Sequence, residues 1–216
     1  MLILKQNYID INPFNKIFIL FLNMCPTRMT ILSLLFIFSF VTMNPLSITA
    51  QLDTSSNNVS GIFLPYYNTS LGVDLQVPLD WKKITVLTDS LVVITFQKDY
   101  TTQDSLAPSI SLSIEHLPNN ISLASYIDLS NDLLRSTFYN YTVLSLGSDV
   151  LDDFPAMHRT FTFIQPNSGL LMHSTQVFGI KDNKAYILSY TSPDRNYMDY
   201  LNLVEFMKTS FHLIKK

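Results

Sequence analysis

Apolar side chains recur along the chain at two periods, and each period names an element. Leu123, Tyr126, Ile127, Leu133, Leu134 and Phe138 fall roughly on one face at helical spacing, which predicts a helix over 123–138 capped by Asn120 or Ser122. Tyr197, Tyr200, Leu201, Val204, Met207 and Phe211 form a second stripe, with Asp199, Asn202 and Lys208 toward water. Ser192, Pro193 and Asp194 supply an N-cap, a proline at the first helical position and an acid in the first turn, so one long helix is predicted from Pro193 to about Phe211. Short apolar or alternating runs bounded by Pro, Asp or Asn predict strands over 71–77, 91–97 and 109–117, read as antiparallel neighbours. Four more follow over 141–150, 156–165, 170–180 and 185–191, a meander with turns at 166–169 and 181–184.

Both faces of this meander carry apolar groups: Met157, Phe161 and Phe163 on one, Val177, Leu188 and Tyr190 on the other. A sheet wetted on one side alternates more cleanly. The expected class is therefore α+β, an antiparallel sheet packed between helices as an α/β/α sandwich. No repeat at solenoid spacing is visible.

The first 50 residues have a different texture, 30 of them being apolar. Arg28 precedes a mainly apolar run over 31–43, followed by Asn44-Pro45 and a small-residue ending at Thr49-Ala50, the order of a secretory signal. A helix over 31–43 spans about 20 Å, short of the roughly 30 Å hydrocarbon core. No charge appears from Met29 to Leu52, so an uncleaved anchor over 31–50 stays open beside cleavage. Residues 1–50 are thus a signal peptide or membrane anchor, 51–61 a Ser/Asn/Thr-rich flexible linker, and 62–216 the folded domain, which lies outside the cytoplasm, secreted or anchored.

Beyond Ala50 the chain holds 11 basic and 16 acidic residues, a net charge of −5. No window supplies the clustered basic surface that releases counterions from phosphates, so nucleic acid is not the expected partner. The single cysteine, Cys25, precedes the apolar run, which leaves the domain without a thiol nucleophile, thiolate metal ligand or disulfide.

Several segments point to one family. Tyr66-Tyr67-Asn68 stands before Leu71-Gly72-Val73, then comes Val77-Pro78-Leu79-Asp80-Trp81, and later Leu151-Asp152-Asp153-Phe154-Pro155-Ala156. The stretch 185–191 (Ala-Tyr-Ile-Leu-Ser-Tyr-Thr) and the stretch 204–211, with Ser210-Phe211, complete the order. In sequence and spacing these resemble the PsbP-like domain, named for the extrinsic oxygen-evolving subunit of photosystem II, over about 62–212. The resemblance implies an antiparallel sheet between helices, export, and a non-catalytic role in stabilising or assembling a membrane complex. No photosystem-docking segment is matched residue by residue, so the resemblance carries the fold further than the function.

Candidate chemistry is sparse. Of the four histidines, closing the 166–169 turn pairs Thr162 with His173 and sets His158 roughly 13 Å away along the strand, too far to share one ion. His116 ends a strand and His212 ends the last helix. Asp149, Asp152 and Asp153 precede Pro155, and three carboxylates on a turn make a candidate site for a hard cation such as calcium. No G-x-S-x-G elbow accompanies the many serines. Asn58, Asn68, Asn120 and Asn140 each begin an N-x-S/T triplet and are candidate glycosylation acceptors in an exported chain. Tyr197 and Tyr200, beside Arg195 at a first helical turn, are the candidate partner surface, because each ring combines an apolar body with a polar tip. Trp81 reads as structural. The expected function is a non-catalytic extracytoplasmic module that binds or stabilises a membrane-associated protein complex; the alternative is an extracytoplasmic small-ligand carrier or enzyme with a pocket between sheet and helix.

Overall fold

The computed structural model describes residues 63–87, 90–98, 106–117, 121–166 and 168–215. The signal or anchor segment and the linker lie outside the described residues. Strands β3 (Trp81–Leu87), β4 (Leu91–Lys98), β5 (Ser109–His116), β6 (Tyr139–Leu151), β7 (Phe154–Ile164), β8 (Leu171–Lys181) and β9 (Lys184–Pro193) form one antiparallel sheet in the order β3-β4-β5-β9-β8-β7-β6. The predicted register is the observed one: Thr162 stands opposite His173, and Lys181 opposite Lys184. In the β8–β9 turn Asp182 and Asn183 both take positive φ, 51° and 56°. That is the type I′ arrangement, which follows the twist of its strands and which Asp and Asn tolerate.

Each face of the sheet is covered. Helix α1 (Leu123–Thr137) starts at Ser122, whose hydroxyl accepts from the Ser125 amide at 3.1 Å. It lays Tyr126, Ile127 and Leu134 against Phe161, Phe163, Met172, Phe178 and Ile187. On the other face Ile110, Leu112 and Ile114 of β5, Val177 of β8, and Leu188 and Tyr190 of β9 meet Val204, Met207 and Phe211. The alternation Ser-Ile-Ser-Leu-Ser-Ile-Glu in β5 sorts its apolar residues wholly onto this second face.

Two expectations need correction on that face. The segment read as a neighbour of the 91–97 strand is β2 (Val73–Pro78), and it belongs to a separate sheet, β1-β2-β10, with β1 (Phe63–Asn68) and β10 (His212–Leu213). β1 escapes sequence pattern because Pro65 interrupts it, and proline is tolerated only because β1 is an edge strand. The long helix is instead a 3₁₀ helix (Asp194–Tyr200) followed by α2 (Leu201–Thr209). β9 runs on through Pro193, and the Ser192 hydroxyl donates to the Pro193 carbonyl rather than capping a helix. Three residues per turn puts Tyr197 and Tyr200 in line, so both rings reach the sheet from one short segment. β3 was unforeseen too; six of its seven residues are exposed, Lys82 and Lys83 among them, as suits a sheet edge.

Candidate functional site

Four chain segments meet at one end of the molecule: the turns at 69–72, 152–153 and 181–184, and residues 213–215. They enclose a groove of about 550 Å³. Leu71, Tyr186 and Leu213 line its interior, while Asp182 and Lys215 stand exposed at its edge. The 69–72 turn is built by Asn68, whose Oδ1 accepts from the Leu71 amide at 3.0 Å and whose carbonyl accepts from Gly72 at 2.9 Å. Gly72 closes it at φ 71°, a conformation few other residues adopt. Asp152 fastens the opposite wall: Oδ2 accepts from the Leu213 amide at 2.9 Å, and Oδ1 lies 3.0 Å from Nδ1 of His212.

The structure does not bring Asp149, Asp152 and Asp153 together. Asp153 takes Lys181 at 2.6 Å, and that hydrogen bond holds its carboxyl below the usual carboxylate range. Asp149 takes Lys208 of α2 at 3.2 Å, with His158 at 3.9 Å. Each carboxylate therefore already has its own base, and among the described residues no three His, Cys, Asp or Glu side chains are grouped to hold an ion. Millimolar calcium is expected to leave the melting temperature unchanged. A rise in wild type that Asp152→Asn with Asp153→Asn removes would reinstate the cation site.

The tyrosine surface is corrected as well. Tyr197 is buried, its ring stacked on His173 at 3.6 Å and 5°, with its hydroxyl bonded to Thr175. Tyr200 is half-buried edge-on to Trp81 at 5.6 Å, and Arg195 turns to Asn196. Packing against the sheet takes the Tyr197 ring out of the surface, while Tyr200 stays half-buried and Arg195 exposed. The histidines are scattered likewise: His173 pairs with Asp194 at 3.0 Å, and His116 is exposed at the end of β5. Of the glycosylation candidates, Asn140 is exposed at φ 54°, whereas the Asn68 amide donates to the Tyr66 hydroxyl at 3.0 Å. Asn58 and Asn120 lie outside the described residues.

Sequence reading passed over Arg159, yet its signal was available: it sits two residues from Met157 and two from Phe161, so it shares their inward face. It is fully buried between the two apolar clusters under α1. Its guanidinium donates to Asn131 Oδ1, Ser130 Oγ and Gln176 Oε1, and lies 5.2 and 4.8 Å from the Phe161 and Phe178 rings. Tyr141 donates to the same Asn131 oxygen at 2.9 Å, and Tyr126 donates to Glu115 at 2.6 Å. Burial pulls the Arg159 pKa down to about 10.

Burial also raises the phenols of Tyr126, Tyr141, Tyr186 and Tyr190 above their ordinary 10.0. A phenol that keeps its proton longer when folded contributes stability that is intact below pH 10 and is lost as pH rises above it. Arg159 acts in the opposite sense there, one group against four. Urea midpoints are expected to hold level to about pH 10 and then fall; a midpoint still level at about pH 11 would put these phenols in water.

No family model matches the sequence, and no curated protein matches it. In structure the chain is similar to cyanobacterial PsbP (CyanoP) from Synechocystis, at 16% identity over 74% of this chain and 98% of that one, with a TM-score of 0.51. It is similar also to LpqN of Mycobacterium tuberculosis, at 15% identity over 73% and 93%, with a TM-score of 0.50. The Ran-binding protein Mog1p of Saccharomyces cerevisiae aligns at 11% identity over 72% and 97%, with a TM-score of 0.48. At such identities the likeness speaks to fold alone, and the fold resembles that of PsbP, as the sequence segments from Tyr66 to Phe211 led one to expect.

Proposed function

We propose that the protein is a non-catalytic extracytoplasmic module, exported by its N-terminal segment, that binds and stabilises a membrane-associated protein. The observation that carries this reading is the groove. It lies between the small sheet and the hairpin tips, with Leu71, Tyr186 and Leu213 inside and a charged rim on which Asp152 is paired with His212 and Lys181 with Asp153, both partners flanking the groove. Such a rim suits a polypeptide segment better than it suits catalysis, which needs groups converging on one reacting atom. Between sheet and α1, where a carrier or enzyme would keep its pocket, stand Arg159, Phe161 and Phe178. LpqN, described as involved in cell envelope biogenesis, shares the fold and supports the setting. In this reading membrane contact is made by the segment before the domain; among the described residues no helix is long and apolar enough to cross a membrane.

Affinity purification of the full chain from membranes, in wild type and Lys184→Glu with Lys215→Glu, tests the reading. One reproducible membrane protein should accompany wild type and be depleted in the variant; equal recovery would remove the groove from the contact. A reporter fused after residue 60 should cross the membrane, and its retention in the cytoplasm would overturn the localisation.

A further inference from the structure

The large sheet ends on β6, and among the described residues no strand pairs with its outer side. An unpaired edge offers a row of N–H and C=O groups to any strand that approaches, and natural proteins blunt such edges with charge, proline, short length or bulges. β6 is 13 residues long, and Tyr139–Ser148 contains no charged side chain and no proline. The charge at Asp149 is met by Lys208 within the same molecule. Bulges interrupt only its first half, between Tyr139 and Thr142 and between Val143 and Ser145; from Ser145 to Leu151 the register against β7 is unbroken. Apolar side chains are left in water along it: Leu144 is 54% exposed, Leu146 48% and Val150 59%. Leu146 stands opposite the inward-facing Arg159, and Val150 shares its side of the sheet, so the two form a row on one face.

We infer that β6 is a homophilic edge, to which a second copy of this chain adds its own β6, antiparallel, about a twofold axis. Charge decides the occupant. Two copies of one strand bring charges of the same sign together, which a charged strand resists and the uncharged stretch Tyr139–Ser148 does not. The other edge, β3, carries Lys83, which a second β3 would bring near its own copy, and a β3–β6 pairing would be head-to-tail and non-closing. Only β6 on β6 closes.

The size of the contact sets its strength. Thirteen residues span roughly 43 Å, and a strip one sheet thick, about 10 Å, covers on the order of 430 Å² per copy. That is about half of the roughly 800 Å² per partner in a standard interface, which makes this a weak, concentration-dependent dimer.

Sedimentation equilibrium of the full chain in mild detergent, from about 5 to about 500 μM, tests it. The wild-type mass should rise with concentration toward two copies. Leu146→Lys and, separately, Ser148→Lys, both at exposed positions, should hold the mass at one copy while melting as wild type does. A wild type of one copy at every concentration would overturn the inference and leave the edge to a strand of another protein. Lysine variants that melt normally and associate like wild type would overturn it equally, by placing self-association in the N-terminal segment or another face.

Discussion

Arg159→Ala is expected to cost about 3–5 kcal/mol of folding stability, the range for removing one partner from a buried charged network. The loss has three sources. Ser130 and Asn131 of α1 and Gln176 of β8 each lose a charge-assisted donor. The Phe161 and Phe178 rings lose the cation that lies over them. A cavity opens where two apolar clusters meet. Arg159→Met separates these sources, because it refills the volume while removing the buried charge; its expected cost is about 1–2 kcal/mol, since apolar replacement of buried charge is often tolerated. Equilibrium urea unfolding measures both. An alanine variant within about 0.5 kcal/mol of wild type would mean that the guanidinium reaches water.

Trp81→Ala is expected to cost a similar amount, about 3–5 kcal/mol, as for other buried large aromatics. Trp81 begins β3 directly after the turn from β2, and it is 6% exposed against the main core. Its ring meets Tyr200 edge-on at 5.6 Å, so it links the edge of the large sheet to the 3₁₀ helix. Losing it should loosen both at once. Trp81→Phe keeps an aromatic ring in the site and is expected to recover more than half of the loss. As the only tryptophan, Trp81 also reports wild-type unfolding through its own fluorescence, while the variants are followed by circular dichroism. Unchanged melting of the alanine variant would remove the β2–β3 turn from the core.

What could be read from sequence, and what could not, divides by the range of the interaction responsible. α1 and the hairpins of the meander depend on periodicity and turn residues within about 15 positions of one another, so Ser122, the 181–184 turn and the pairing of Thr162 with His173 were all legible. The sandwich followed from apolar groups on both faces of the same strands. The candidate site was mostly illegible. Asp149, Asp152 and Asp153 read locally as a cluster, but their partners arrive from 59 positions away in Lys208, 60 in His212 and 28 in Lys181. No local pattern encodes which base a carboxylate will meet, and the groove is assembled from four such distant pieces. Tyr197 shows the same limit: its spacing fits a helix stripe, while the depth of its ring is decided by where His173 and Thr175 of β8 stand. Arg159 lies between the two cases. Alternation alone assigned it to the inward face, but only the tertiary structure supplied Ser130 and Asn131 from α1 and Gln176 from β8, the oxygens that let a charge stay there without water.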